Sequence, residues 1–284
     1  MKAINELRGS VSPNYGAMVD LYHRMGEPKE FLKHFYDLDL PVPFFIGEEV
    51  LYIYPCSVDF SKYFGILVQC LLERKNFMGK IEFISMKYLD FLFWQYEHGE
   101  PQYLSFLGEL LYYVFRIPND LDDDSAPSVE LIKPDSENAY IKVYGRKIDS
   151  AKFDILKEII LNQNDVERDP DDIHPDVLKK LKETEEFRRK KSRFKMCGLA
   201  DQISIVMLAT GRSKSEVVSM TIRTFNNILE RNDIEIQYKL MTALSPYMEK
   251  TAQSNIIHYM ADNTRDRYRE LMTDYETVRK KIEG

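Results

Sequence analysis

Nine of the 25 residues from Phe91 to Phe115 are aromatic, about three times the chain-wide fraction of 12%. The pattern predicts two helices, 85–96 and 102–115, separated by His98-Gly99-Glu100-Pro101. Their aromatic side chains fall on nearly all faces, and a helix that is apolar all round is normally buried on several sides. The run therefore constrains the fold, because these helices must be enclosed by the rest of the chain or covered by a partner.

Short β-hairpins are predicted at two places in the N-terminal half of the chain. Residues 44–46 and 50–54 are aromatic and β-branched and flank a glycine-containing turn, which is typical of a hairpin. Residues 129–133 and 139–144 flank a polar turn and predict a second hairpin. Between the two, a helix is predicted from Ser57, a suitable N-cap, to about residue 75.

From residue 150 onward the sequence predicts helices alone. The predicted helices cover 150–163, 175–195, 198–209, 213–231, 233–247 and 264–282. Ser213, with Glu216 three positions later, has the pattern of a capping box and marks the start of the fourth helix. We therefore predict an α+β fold that is mostly helical. An α+β domain of residues 1–145 would contain one or two short β-hairpins and the aromatic-rich helices, and residues 146–284 would form an all-α helical domain.

Composition and charge favour a soluble protein of the cytoplasm. Lys and Arg number 39 against 46 Asp and Glu, so the net charge is -7 and gives no overall attraction to nucleic acid or anionic membranes. The basic run 188–195 fits the solvated end of a helix, where cations complement the helix dipole. No apolar stretch approaches the roughly 20 residues of a membrane span, and no signal peptide is expected. Three widely spaced cysteines, Cys56, Cys70 and Cys197, argue for a reducing compartment.

Recognised catalytic and metal-binding motifs are missing from the sequence. There is no P-loop and no Gly-x-Ser-x-Gly elbow, the five histidines occur singly, and no Cys-x-x-Cys pair is present. Asp120, Asp122 and Asp124 lack the glycine and the bidentate carboxylate of a calcium loop. The acidic residues between 169 and 176 fit capping and dipole roles at a helix start. We therefore expect neither enzymatic activity nor a cofactor nor a bound metal.

A helical hairpin at residues 200–225 is the best candidate for nucleic-acid binding. A helix, a glycine turn and a second helix look like a helix-turn-helix, and the second helix would offer Ser215, Ser219 and Arg223 to a groove. Glu216 and the acidic net charge oppose contact with phosphate. We expect no nucleic-acid partner, and a nucleic-acid-binding regulator remains the alternative interpretation.

Several segments occur in an order that points to one family of proteins. They are Tyr63-Phe64-Gly65-Ile66-Leu67 after the first hairpin, Lys152 to Asn164, the stretch from Gly211 to Phe225, and Asp233 to Lys239. In this order the chain resembles the tail assembly chaperones of long-tailed bacteriophages that infect Gram-positive hosts. The resemblance covers about residues 45–245 and includes no catalytic motif.

The resemblance implies a non-enzymatic chaperone that binds the helical tape-measure protein and helps to recruit subunits of the tail-tube protein. Such a protein acts in the cytoplasm of the host cell and is absent from the mature virion. It would cover apolar stripes that otherwise aggregate, through helix-in-groove contacts. The side chains expected to bind the partner are Trp94, Tyr112, Tyr113, Phe115, Met220, Phe225 and Ile228. The alternative that they form the chain's own core stays open, as do self-association and a role as a structural component of the virion.

Overall fold

The protein combines many helices with two small antiparallel sheets, which confirms the predicted α+β, mostly helical fold. The computed structural model describes residues 14–77, 81–117, 129–134, 138–169, 175–191 and 197–248, together with His258 and Met260. The chain separates into two compact units, Met1–Leu229 and Glu230–Gly284. Within the described residues, every helix is too short or too polar to cross a membrane.

The chain begins with two helices and the first predicted hairpin. Helices α1 (Tyr15–Arg24) and α2 (Lys29–Asp37) precede strands β1 (Val42–Ile46) and β2 (Glu49–Ile53). The strands pair antiparallel, with Val42 opposite Ile53. Gly47 lies in the turn with φ of +64°, a conformation that glycine adopts without the strain a side chain would add. The first hairpin is therefore confirmed.

The aromatic-rich part of the chain folds into short helices that enclose one another. They are α3 (Ser61–Leu67), α4 (Glu82–Ser85), α5 (Tyr88–Glu97) and α6 (Gln102–Val114), with 3-10 turns at Val58–Phe60, Val68–Leu71 and Lys75–Phe77. The predicted single helix over 57–75 is wrong, because the chain tightens into 3-10 turns on both sides of α3. Phe83, Phe91 and Leu107 are fully buried in the main core. The aromatic run is thus largely enclosed by the chain itself.

A three-stranded antiparallel sheet follows the aromatic helices. Its strands are β3 (Val129–Ile132), β4 (Tyr140–Val143) and β5 (Arg146–Asp149), in the order β3-β4-β5. The predicted second hairpin is confirmed as β3 and β4. The third strand was not predicted, and it extends the sheet past residue 145, where we predicted a domain boundary.

Helix α7 (Ser150–Gln163) belongs to the same compact unit as the hairpins and the aromatic helices. Its predicted apolar stripe is buried in the main core, where α7 packs on α2, α5 and β5. The carboxylate of Asp154 accepts the N–H of Tyr88 (3.1 Å), and that of Asp90 accepts the N–H of Ala139 (2.6 Å). Because the hydrogen bond between Asp154 and Tyr88 and the packing of α7 on α5 cross residue 145, the predicted boundary falls inside the first unit.

Four further helices follow in the described residues, and the last three of them contribute side chains to a second, smaller core. They are α8 (Pro175–Lys191), α9 (Leu199–Thr210), α10 (Lys214–Val218) and α11 (Ile222–Leu244), followed by a 3-10 turn at Ser245–Tyr247. The capping box of Ser213 and Glu216 is confirmed. Val58, Val206, Val217, Met220 and Phe225 are among the side chains that meet in this core. The predicted helix over 264–282 lies outside the described residues.

Helix α10 ends at Val218 because the residues that follow it pair with a distant segment. The N–H of Val58 donates to the carbonyl oxygen of Met220 (2.9 Å), and the N–H of Ile222 donates to that of Cys56 (2.9 Å). A helix through this position could not make these long-range bonds, because its own backbone groups would bond internally. The predicted continuous helix over 213–231 is therefore wrong, and α11 takes up its second half and most of the next predicted helix.

Candidate protein-docking groove

The seven side chains expected to bind a partner lie at different places in the molecule. Phe115 is buried in the main core, and Met220 and Phe225 are buried in the smaller one, so their contacts are with this chain. Trp94 and Ile228 are half-buried against the two cores. The remaining two, Tyr112 and Tyr113, are half-buried and line the same groove.

This groove lies beside α3 and α6, which pack against each other, and has a volume of about 700 Å³. It is lined by Pro55, Ser57, Phe60, Tyr63, Glu109, Tyr112, Tyr113, Arg116 and Ile117. Phe60 and Tyr63 lie one helical turn apart, as do Glu109 and Tyr112. Tyr63 belongs to α3, and Phe60 to the 3-10 turn before it. The α6 residues of the lining are Glu109, Tyr112 and Tyr113, and most of the lining is aromatic or aliphatic.

The floor of the groove is a stacked aromatic pair. The rings of Phe60 and Tyr113 lie parallel, with centroids 3.3 Å apart and an interplanar angle of 5°, and Tyr63 meets Phe60 edge-on at 5.2 Å. The hydroxyl oxygens of Tyr113 and Ser57 are 3.1 Å apart, within hydrogen-bonding distance. Burial raises the pKa of Tyr113, so this phenol stays neutral and the floor carries no charge at neutral pH. Rigid aromatic side chains of this kind offer large contact area at low entropic cost.

Two opposite charges lie along the α6 side of the groove. Glu109 lies within α6, whereas Arg116 follows the end of that helix, with a φ of +49°. Both residues are exposed, and no ion pair joins either of them to another described residue. The guanidinium of Arg116 lies over the ring of Tyr54, 4.1 Å from its centroid, which is a cation–π contact. The groove therefore has an uncharged floor with a carboxylate and a guanidinium along one wall.

Two of the three cysteines are buried, and the described side chains that could ligate a metal do not cluster. Burial raises the pKa of Cys56 and of Cys70, so both thiols stay protonated and are poor nucleophiles, whereas Cys197 is exposed. No group of three or more His, Cys, Asp or Glu side chains among the described residues is placed to hold a metal ion. The acidic cluster at 120–124 and most of the one at 169–176 lie outside the described residues.

The helical hairpin considered for nucleic acid does not present its three proposed groove residues on one helix. Ser215 lies in the five-residue helix α10, Ser219 caps its end, and Arg223 is the second residue of the next helix, α11. The guanidinium of Arg223 donates to the carbonyl oxygen of Asn162 (2.9 Å) and lies 3.4 Å from the carboxylate of Asp37. These contacts hold Arg223 against its own chain, which leaves it poorly placed for a phosphate.

The spacing of Phe60 with Tyr63, and of Glu109 with Tyr112, is visible in the sequence. The packing of α3 against α6 is not visible in the sequence. The sequence analysis therefore missed Phe60, Tyr63 and Arg116 as site residues.

No protein-family model, no curated protein and no solved structure matches this chain. The candidate site therefore depends on the geometry of the groove alone.

Proposed function

We propose that this protein is a non-enzymatic bacteriophage or prophage tail assembly chaperone, which binds the tape-measure protein and helps to recruit tail-tube subunits. It would act in the cytoplasm of the host cell and leave before the virion is complete. The observation that supports the proposal is the aromatic groove beside α3 and α6, where two of the expected partner-binding residues, Tyr112 and Tyr113, share a surface.

The shape and chemistry of the groove suit a helical segment of another protein. A tape-measure protein is a long helical chain, and its apolar stripes aggregate unless another surface covers them. An amphipathic helix can place apolar side chains from successive turns against Phe60, Tyr63 and Tyr113. A basic residue near Glu109 and an acidic residue near Arg116 would fix the direction in which that helix lies.

Co-expression tests this function. The chain is produced together with the product of the longest helical open reading frame beside its gene, and the soluble fraction of that product is measured. We expect the wild-type chain to keep the product soluble and to co-purify with it. Tyr63→Ala, which removes an exposed ring from the groove, should weaken the complex by about 10- to 30-fold, as at other interface hot spots.

Tyr96→Ala is the matched control, because Tyr96 is an exposed tyrosine that is not among the groove residues. It should leave co-purification unchanged. The proposal would be refuted if the wild-type chain is soluble but does not co-purify with the product. The alternative role as a structural component of the virion is tested by looking for the protein in purified virions. A chaperone is absent from them, whereas a structural component is present.

A further inference from the structure

Residues 56–60 lie between the groove and the smaller core, and we call them the wall segment. On the groove side, Ser57 and Phe60 contact Tyr113. On the other side, the side chain of Val58 is 1% exposed and packs in the smaller core with side chains from α9, α10 and α11. Helix α10 also packs against the 3-10 turn that holds Val58 and Phe60. One face of the wall segment thus forms part of the groove, and the other receives these helices.

The backbone around the wall segment is held from both directions. Towards the helices, Val58 and Cys56 form the two long-range hydrogen bonds to residues 220–222. On the groove side, the N–H of Tyr54 donates to the carbonyl oxygen of Val114 in α6 (2.8 Å). Separation of the helices would therefore break the bonds of Val58 and Cys56 and leave that of Tyr54 intact. Amide hydrogen exchange can follow each side separately, because it measures local as well as global opening.

The carboxylate of Asp39 anchors the start of α11 to the end of α2. One of its oxygens accepts the hydroxyl of Thr221 (2.6 Å), and the other accepts that of Thr224. Hydrogen bonds to an ionised group are stronger than those between neutral groups. Asp39 has a φ of +53°, a conformation in which α1 and α5 are followed by glycine, Gly26 and Gly99. The side chain of Asp39 is therefore unfavourable for the backbone at this position, and its two hydrogen bonds compensate for that cost.

Arg223 lies between the two threonines and strengthens the same joint. Its contacts with the carbonyl oxygen of Asn162 and the carboxylate of Asp37 tie α11 to the ends of α7 and α2. Thr221, Ile222 and Arg223 are consecutive, so the side chains that hold α11 and the backbone bond from Ile222 to the wall segment lie in one turn of the chain. Loss of the anchor should therefore loosen the wall segment.

We propose that Asp39, Thr221 and Thr224 are positioning residues of the groove. They dock α9, α10 and the start of α11 on the wall segment, and this docking holds the ring of Phe60 at the floor of the groove. The buried side chains of the smaller core act on the groove in the same way, through Val58. The consequence for partner binding rests on the proposed function, whereas the docking itself does not.

Asp39→Gly tests the anchor without straining the end of α2. It removes both acceptors and leaves a residue that adopts a φ of +53° freely. Glu27→Gly is the matched control, because Glu27 has a similar φ of +59° and its carboxylate contacts His23 (3.1 Å). Thr224→Val removes one of the two hydroxyls, whereas Thr224→Ser keeps it.

The first measurement is native-state amide hydrogen exchange of the full chain, followed by NMR. In Asp39→Gly, the N–H groups of Val58 and Ile222 should exchange more than about tenfold faster, because two hydrogen bonds to a charged group are lost. The N–H of Phe60, which donates to Ser57 within the 3-10 turn (3.2 Å), should also exchange faster, whereas that of Tyr54 should not change. Thr224→Val should act in the same direction, and Thr224→Ser and Glu27→Gly should leave these rates unchanged.

Two results of this measurement would overturn the proposal. If Asp39→Gly accelerates the exchange of Tyr54 as much as that of Val58, the helices do not separate from the wall segment, and Asp39 contributes only to overall stability. If Val58 and Ile222 exchange faster but Phe60 does not, the turn at the groove is held without the docked helices.

The second measurement adds the co-expressed product of the neighbouring helical reading frame. A partner that requires the docked helices must also stabilise their docking, so its binding should slow the exchange of Ile222, which is not among the groove residues. A product that binds without slowing this exchange would overturn the link between docking and binding. A wild-type chain that does not bind the product would refute the proposed function, and the exchange of Val58, Phe60 and Tyr54 in Asp39→Gly would still decide the positioning role.

Discussion

Asn164 joins the end of α7 to a segment that precedes it by 108 residues, and its removal should lower the stability of the first unit. Its side-chain oxygen accepts the buried N–H of Cys56 (2.7 Å), and its amide donates to the carbonyl oxygen of Ile160 (2.8 Å). Asn164 is 2% exposed, so water cannot replace these bonds. Asn164→Ala would leave a buried donor and a buried acceptor without their partner.

The size of the effect follows from these two groups. A buried polar group that loses its partner costs about 1–3 kcal/mol, and the carbonyl tolerates the loss better than the N–H, so we expect Asn164→Ala to cost about 2–4 kcal/mol. For a unit of this size, that lowers the Tm by about 4–16 °C. The assay is urea unfolding followed by circular dichroism, with calorimetry for the Tm.

Asn162→Ala is the control, because the Asn162 side chain is exposed and accepts only a long hydrogen bond from Arg168 (3.3 Å). It should change the free energy of unfolding by less than about 0.5 kcal/mol. If Asn164→Ala also stayed within that range, the contact between α7 and the segment after β2 would not contribute to stability. Separate unfolding of residues 1–145 would likewise contradict a single compact unit that includes α7.

Three further predictions concern buried groups and backbone conformation. Because burial raises the pKa of Cys56 and of Cys70, a thiol reagent should modify only one of the three cysteines in the native protein and all three after unfolding; rapid modification of two would contradict the structure. Burial, with a smaller contribution from a neighbouring carboxylate, raises the pKa of Tyr22 from 10.0 to about 12, so its stabilising contribution is complete below pH 10.0 and lost as the pH rises towards 12. The Tm should fall across this window, and Tyr22→Phe should reduce the fall. Gly211→Ala forces a side chain into a backbone with φ of +70° and should cost about 1 kcal/mol, whereas Gly108→Ala within α6 has free space for the new methyl group and should stabilise by about 0.5–1 kcal/mol; equal signs in urea unfolding would refute this reasoning.

Local patterns predicted the elements whose signals are contained within a few residues. The first hairpin formed where Gly47 allows a tight turn, and the capping box formed where Ser213 and Glu216 predicted it. The stripe of α7 is buried as its spacing indicates. In each case the residues that determine the structure are neighbours in the chain, so the sequence alone was sufficient.

Long-range contacts determined the elements that were missed. Strand β5 has three charged residues out of four, and only its pairing with β4 and the burial of Ile148 make it a strand. The end of α10 depends on backbone bonds from Met220 and Ile222 to a segment more than 160 residues earlier. Neither signal is present in a local window of sequence.

The candidate site also combines a feature that the local sequence predicts with one that depends on long-range packing. The aromatic run correctly predicted enclosed helices, but it did not tell which rings the chain would bury for itself. Phe115 is buried in the core, whereas Tyr112 and Tyr113 line the groove. That outcome depends on how α3 packs against α6, which no single segment specifies.

Photo-cross-linking tests whether the groove binds the proposed tape-measure partner. A photoreactive phenylalanine analogue replaces Tyr63 in the groove or, as a control, the exposed Tyr96 outside it, and cells that also make the tape-measure protein are irradiated. We expect a covalent adduct with the tape-measure protein from position 63 and none from position 96. No adduct from position 63, or equal adducts from both positions, would contradict the groove as the docking site.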